Sequence, residues 1–367
     1  MIVLILVGLG AITIAVAWYR LSHRKDTHYL KELTDRSCNT YIAKGKSPGL
    51  CIGIIKGEQL YIKGYGRIDS TDARVPDGKT LFEIGSVSKV FTVAMTQLLV
   101  DKGLLHWKDD IRQYHPPGEA PFNTGPVSLE QLASHTSGFP RLPAAWLDTS
   151  VMTNECDPYS TITEQQLLSY LRHPDDKKPV PAGYDYSNVG MGLLGHILEW
   201  RTGKSYDTLL KDLLCNPLGM TSTSLQVKDT ARFADGHDES GKTTCHWQFP
   251  VLQGAGGIRS CVDDLVIFLR ENMEDTGPLG VSFNKLHKKV ADIPMGGIGY
   301  GWHLDEFNAR LYGEPAIIWH NGGTGGFSSF IGFIPGKAGV VVLANQYNPS
   351  LDRLALNLLS TAAKVSF

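Results

Sequence analysis

Ser86-Val87-Ser88-Lys89 places a hydroxyl and an amine three positions apart at the head of a long apolar segment, preceded by Phe82-Glu83-Ile84-Gly85. One turn of helix puts residues i and i+3 on the same face, so the Ser86 hydroxyl and the Lys89 amine can meet. A free serine hydroxyl is a weak nucleophile and needs a basic partner. The start of a helix adds backbone N–H groups and positive potential for a developing oxyanion. The chemistry this allows is acyl transfer through a serine ester. S-x-x-K fixes only two positions, and a serine at a helix start is commonly a simple cap, so the assignment depends on what accompanies it. Two further elements do. Tyr186-Ser187-Asn188 follows a Pro/Gly-containing loop and precedes a helical run, and His320-Asn321-Gly322-Gly323 ends an apolar strand at a Gly-rich turn.

Other motifs lose their force on inspection. Gly203-Lys204-Ser205 ends like a phosphate loop, but Leu198 stands where that loop needs its first glycine. The glycines from Gly322 to Gly326 lie between two strands and open no helix, which disfavours a dinucleotide fingerprint. Gly326-Phe327-Ser328-Ser329-Phe330 lacks the closing glycine of a nucleophile elbow. Six cysteines, Cys38, Cys51, Cys156, Cys215, Cys245 and Cys261, form no C-x-x-C pair. They read equally as buried small hydrophobes or as disulfides. Twelve histidines include no H-E-x-x-H, and His237 with Cys245 and His246 lacks a fourth ligand, so no metal and no cofactor are expected.

The elements that must position these residues follow from periodicity. Leu50 to Ile55 and Leu60 to Tyr65 flank Lys56-Gly57-Glu58-Gln59 as a hairpin. Ala316 to Trp319, Phe327 to Ile334 and Val340 to Ala344 predict three more strands, followed by a helix over Leu351 to Ala363. A polar helical stretch runs from about His28 to Lys44. Val87, Val90, Phe91, Ala94, Met95, Leu98 and Leu99 recur at three-four spacing and Gly103 stops the pattern, which predicts a largely buried amphipathic helix from Ser86 to Lys102. Ser128 with Gln131 opens a short helix through a capping box, ending at Gly138. Further helices are expected at Glu164 to Leu171, Val189 to Arg201, Tyr206 to Leu214 and Cys261 to Asn272. The fold expected is therefore α/β of the α+β kind. One antiparallel sheet built from both chain ends (about residues 28–85 and 250–367) is flanked by helices and carries an inserted helical subdomain (about 86–249). The cleft between them is the place for a site.

In their order and spacing, the three elements resemble the S-x-x-K, Y-x-N and K-T-G or H-x-G motifs of the serine β-lactamase and penicillin-binding-protein superfamily. The branch resembled is that of class C β-lactamases and D-alanyl-D-alanine carboxypeptidases. The likeness extends over about residues 30 to 365 and takes in His135-Thr136-Ser137-Gly138, Asn216-Pro217-Leu218-Gly219-Met220 and Gly256-Gly257-Ile258 before Asp263-Asp264-Leu265. The resemblance implies a β-lactamase/DD-peptidase fold, with Ser86 as acylated nucleophile, Lys89 as its activating partner and Tyr186 as proton shuttle. It implies that Asn188 hydrogen-bonds Lys89 and the substrate amide. His320, Asn321, Gly322 and Gly323 would line the substrate, with the N–H groups of Ser86 and Gly323 forming an oxyanion hole. His135-Thr136-Ser137-Gly138 reads as a helix-ending turn that scaffolds the cleft.

One departure bears on the substrate. Where penicillin-recognising enzymes commonly carry lysine, this chain has His320, and Asn321 replaces the usual Thr or Ser. Lysine is a permanent cation for a substrate carboxylate, whereas an ordinary histidine titrates near neutrality. The function implied is a class C β-lactamase-like serine hydrolase of β-lactam or D-Ala-D-Ala-type amides. A carboxylesterase or peptidase acting on an uncharged acyl donor is the enzymatic alternative, and a non-catalytic scaffold or self-assembling protein the other.

Composition agrees with a small-molecule or peptide-like substrate. Over 367 residues, 35 Lys and Arg against 37 Asp and Glu leave a formal charge of -2, with no basic footprint for nucleic acid. Met1 to Tyr19 carries no charged side chain, nearly enough at about 1.5 Å per residue to span a bilayer core. Residues 1–20 are thus expected to be a membrane anchor or export signal. Ala15-Val16-Ala17 fits a cleavage site, but no basic region precedes the apolar run. Arg20, Arg24 and Lys25 after it favour a cytoplasmic body, whereas the superfamily resemblance implies an extracytoplasmic one, so sidedness stays open.

Overall fold

The computed structural model describes residues 28–365, apart from residues 70–72, 117, 148–151, 275–276, 295, 308–309 and 311–314. The apolar segment of residues 1–20 lies outside the described residues. Among the described residues no helix is long and apolar enough to cross a membrane.

The hairpin expected near the amino terminus forms as β1 (Gly49–Lys56) and β2 (Gln59–Gly66). A short β3 (Phe82–Glu83) pairs with β4 (Arg259–Ser260) apart from the main sheet. Three short strands follow, β5 (Ala291–Ile293), β6 (Gly296–Ile298) and β7 (His303–Asp305). The carboxy-terminal strands are β8 (Ile317–Gly323), β9 (Ser328–Ile334) and β10 (Ala338–Ala344). The main sheet is eight-stranded and antiparallel throughout, in the order β2-β1-β10-β9-β8-β7-β6-β5. The amino-terminal β1 thus pairs with the last strand, Leu50 opposite Ala344 and Ile52 opposite Val342, so the two chain ends do build one sheet. Strands β5 to β7 extend it beyond what periodicity predicts, because each is three residues long and β6 begins Gly296-Gly297, which gives no alternation to read.

Alternation along the central strands sorts side chains onto two faces. Leu50, Ile52, Ile54, Val340 and Val342 pack with Leu30, Cys38, Leu351, Leu358 and Leu359. That face is covered by α1 (residues 28–43), and by the carboxy-terminal helix, which matches the helix expected over Leu351 to Ala363. Cys51, Ile55, Val341 and Leu343 turn the other way into a larger core shared with the helices. The centre of that core is α2 (Ser88–Asp101). Its first twelve residues, Ser88 to Leu99, are all buried, so the helix is enclosed on every side and has no polar face. Its hydroxyls are satisfied internally, as where Thr92 donates to Gly254 O at 2.8 Å.

Around α2 lie α3 (Leu129–Ala133), with the expected capping box between Ser128 and Gln131, α4 (Glu164–Arg172), α5 (Asn188–Thr202) and α6 (Val262–Met273). The carboxy-terminal helix is α7 (Leu351–Lys364). Helix α3 stops at Ser134, short of Gly138, because His135 adopts φ 58°. The helix expected from Tyr206 to Leu214 is α-helical only to Leu210 and then widens into a π turn over Lys211–Cys215. Of the cysteines, Cys156 and Cys245 form a disulfide and the other four are buried thiols, so each of the two sequence readings holds for part of the set.

Candidate active site

Ser86 sits in the tight 3-10 turn Gly85–Val87 that feeds α2. Gly85 makes this turn possible. Its φ is +47°, and a Cβ there would fall 2.8 Å from the Gly323 nitrogen at the end of β8. Gly322 is equally constrained, since its Cβ would lie 2.1 Å from Ile84 O and 2.9 Å from the Ser86 nitrogen. Two glycines facing each other let the end of a strand press against the start of a helix, which is how elements more than 230 residues apart in the chain share one site.

Lys89, one turn on, is fully buried. Its Nζ is 3.0 Å from Ser86 Oγ, donates to Ala255 O at 2.6 Å and stands 4.8 Å over the Tyr186 ring. Burial, reinforced by the nearby Arg141 charge, holds its pKa well below the usual lysine value. A neutral amine beside a serine hydroxyl can take that hydroxyl's proton. Tyr186 is half-buried in the cleft wall. Burial raises its pKa, its hydrogen bond with Ser86 opposes the rise, and the phenol stays protonated at neutral pH. The sequence elements of Ser86, Lys89 and Tyr186 therefore converge on one hydroxyl.

His135 fixes the tyrosine. Its Nδ1 accepts the Ser187 N–H at 3.1 Å, its carbonyl accepts Asp185 N–H at 2.8 Å, and its ring lies 4.4 Å from that of Tyr186. Because Nδ1 accepts, the neutral ring carries its proton on Nε2. The turn is thus a scaffold, but one in direct contact with the reacting group.

Two residues depart from what the resemblance implies. Asn188 donates from Nδ2 to Tyr159 Oη at 2.7 Å, and its Oδ1 is buried with no hydrogen-bond partner. No Asn188–Lys89 hydrogen bond forms: the amine donates to Ala255 O and Ser86 Oγ. His320 is not a near-neutral titrating group at the cleft surface. It is 1% exposed, with Nδ1 bonded to Asn321 O at 2.6 Å and its ring 5.1 Å from that of His303. Burial, with the neighbouring His303 and Lys89, keeps it well below an ordinary histidine value, so the imidazolium expected to meet a carboxylate does not form at neutral pH. Asn321 points its Nδ2 at Asp352 Oδ2, 2.6 Å away on α7. Gly322 and Gly323 line the cleft beside Ser86.

Two connected lobes open on Ser86. One is walled by Arg141, Tyr159, Asn188, Trp247 and Phe249, the other by Arg141, Tyr184, Tyr186, His303 and Asp352. None of Arg141, Tyr159, Trp247, His303 or Asp352 was marked by sequence spacing. They arrive from loops, from the three-residue strand β7 and from a helix start, where composition carries no signal. The wall is tied to the motif nonetheless. Glu83, three residues before the serine, accepts the Trp247 N–H at 2.8 Å, and Trp247 Nε1 donates to Cys156 O beside the disulfide. No cluster of His, Cys, Asp or Glu suited to a metal occurs among the described residues.

The buried bases give the fold a measurable acid lability. Burial pushes His303 down to about 4 and His287 to about 3. In the unfolded chain both titrate near 6.5. Above that pH neither state is charged and the stability is complete. As the pH falls toward 4, the unfolded chain takes up protons that the folded one refuses, which costs about 2 kcal/mol per ring at pH 5. Thermal melts at pH 7.5 and pH 5 are expected to show a clear fall in Tm, and His287→Gln to flatten it. Equal Tm values would contradict the neutral, buried assignment.

Known proteins of this architecture place the geometry. A solved penicillin-binding protein homologue from Pyrococcus abyssi, described as octameric, superimposes with a TM-score of 0.74 at 26% identity, covering 91% of this chain and 77% of that one. A β-lactamase/D-alanine carboxypeptidase from Pseudomonas syringae shares the fold at TM-score 0.78 and 22% identity, over 92% and 99% of the two chains. In sequence, the chain is 24% identical to a β-lactamase of Pseudomonas fluorescens, over 89% of this chain and 96% of that protein. It is 26% identical to the D-alanyl-D-alanine-carboxypeptidase/endopeptidase AmpH of Escherichia coli, over 85% and 83%. The Beta-lactamase family model matches residues 33–363, nearly the whole described chain. With the sheet, the helical layer and the serine-bearing turn all inside that span, the chain belongs to the Beta-lactamase family and is a serine hydrolase of the β-lactamase/DD-peptidase type.

Proposed function

We propose that the chain hydrolyses a β-lactam or D-Ala-D-Ala-type amide through an acyl-enzyme on Ser86. The observation that supports this most is the buried Lys89 amine 3.0 Å from Ser86 Oγ, in surroundings that disfavour its charged form. Lys89 takes the serine proton as Oγ attacks the carbonyl carbon. The backbone N–H groups of Ser86 and Gly323 stabilise the oxyanion. Tyr186 gives its proton to the departing amine and takes back the one held by Lys89; water then attacks the ester, its proton passing through the same pair to Ser86 Oγ as the acid is released. No cofactor takes part. Asn188 acts as a fixed wall of the cleft, and His320 as a buried support behind it. A second reading, a peptidase or carboxylesterase acting on a donor without a free carboxylate, draws support from the neutral His320 in place of a cation. The apolar residues 1–20 would then tether or export the domain toward an extracytoplasmic substrate.

Intact-mass spectrometry after exposure to a fluorophosphonate, and separately to a penicillin, tests the reading. One phosphonyl adduct is expected, mapped by digestion to the peptide carrying Ser86. A penicillin adduct or turnover selects the β-lactam reading, and a fluorophosphonate adduct alone selects the ester or peptide reading. Labelling at Ser88 or Ser328, or none on folded protein, overturns the acyl-enzyme.

A further inference from the structure

His320 and Lys89 are both buried behind the cleft, so the two lobes around Ser86 present one Lys or Arg side chain among the described residues that line them, that of Arg141. It is exposed, lines both lobes, and holds its guanidinium 5.4 Å over the Tyr186 ring. No carboxylate of the described residues pairs with it. Its backbone is nevertheless firmly placed. The Arg141 carbonyl accepts the N–H groups of Asn188 at 3.0 Å and Val189 at 3.3 Å, and the Ser187 hydroxyl donates to Pro140 O at 2.8 Å. The loop bearing Arg141 is thus clamped to the Tyr186-Ser187-Asn188 element, and its guanidinium keeps station over the ring that faces Ser86. A charged fork on a rigid support, stacked on an aromatic face and lacking a protein anion, suits planar recognition of a carboxylate.

We infer that Arg141 is the specificity-determining residue of the cleft, binding a carboxylate carried by the acyl donor close to its scissile bond. The positive charge that selects the substrate then comes from the helical side of the cleft, where the resemblance had implied the end of strand β8. Asp352 gives this anchor a direction. Its carboxylate lines the second lobe and is held by Asn321, and no cation of the described residues pairs with it. It repels an anion from that end of the lobe and so favours docking at Arg141. The inference rests on the acyl-enzyme reading and refines it by naming the charge the substrate carries.

The test compares two acyl donors that share one leaving group, one bearing a carboxylate and one bearing its methyl ester, as the ratio of their kcat/KM values. Arg141 also helps hold down the Lys89 pKa, so its removal can change both rates, and the ratio cancels that common effect. Arg141→Gln is expected to lower the anionic-to-neutral ratio by about 10- to 100-fold, mostly through KM, the range of a lost charge-assisted contact. Arg141→Lys, which keeps the charge without the fork, should retain part of the preference. Asp352→Asn is expected to raise the ratio several-fold. Fluorophosphonate labelling of the wild type at Ser86 is run alongside. Its absence overturns the acyl-enzyme reading. Labelling with an unchanged ratio in Arg141→Gln overturns the carboxylate anchor alone.

Discussion

Lys89→Met is expected to lower kcat for an activated ester by about 10² to 10⁴-fold while the protein stays folded, because it removes the proton acceptor and keeps the length of the buried stem. The stem runs through the centre of the core, so alanine would leave a cavity and confuse chemistry with stability. Methionine leaves the buried Ala255 carbonyl without its 2.6 Å partner, at a cost of about 1 to 3 kcal/mol, and frees Ser86 Oγ of its 3.0 Å contact with the amine. Lys89→Arg should not rescue, since a guanidinium remains charged throughout the working range and cannot accept the serine proton. The pH profile carries the sign. Burial and the Arg141 charge depress the Lys89 pKa, so the active, neutral amine is lost only as the pH falls through that lowered value. The wild-type kcat/KM should therefore be flat through neutrality and decline on the acid side. A rise in kcat/KM that begins only near an ordinary lysine value of about 10.4 would show a resting ammonium, and would transfer the base role to Tyr186.

What the sequence disclosed about this site was its strongest local geometry. Ser86 and Lys89 lie one turn apart, and a turn of helix is decided by spacing, so their meeting was legible. Tyr186 and the neighbourhood of Gly322 could be named through the resemblance, since the order and spacing of their motifs match the superfamily's second and third elements. The environment of each group was not legible. His320 reads as an ordinary titrating histidine until β7 lays His303 against it, and β7 is a three-residue strand without a periodic signal. Asn188 reads as a lysine partner until a loop residue, Tyr159, takes its amide. Helix α2 reads as amphipathic because its hydroxyls look polar, yet every one of its first twelve residues is buried, since the segment of residues 280–287 closes one flank and α5 and the Gln253–Gly256 turn close another. Periodicity reports which residues share a face. It does not report what another element brings to that face, and charge state at a buried site depends on that second fact.

Tyr186→Phe separates the two proton transfers. The substitution keeps the ring in contact with His135 at 4.4 Å and beneath the Lys89 amine at 4.8 Å, so packing and Tm are expected to change little. It deletes the phenol, whose pKa burial raises, and with it the proton that the departing amine requires. Lys89 remains 3.0 Å from Ser86 in the parent geometry and can still activate the nucleophile. Cleavage of an amide should accordingly fall by about 10² to 10⁴-fold. Acylation by a nitrophenyl ester should fall far less, because nitrophenolate leaves without being protonated. Burst kinetics with that ester isolate acylation from the later attack of water. A full burst followed by a slow steady state would place the residual loss in deacylation, where Tyr186 would return the proton to Ser86. An equal loss of burst rate and amide turnover would instead assign the phenol to activating Ser86 itself, leaving Lys89 to orient it.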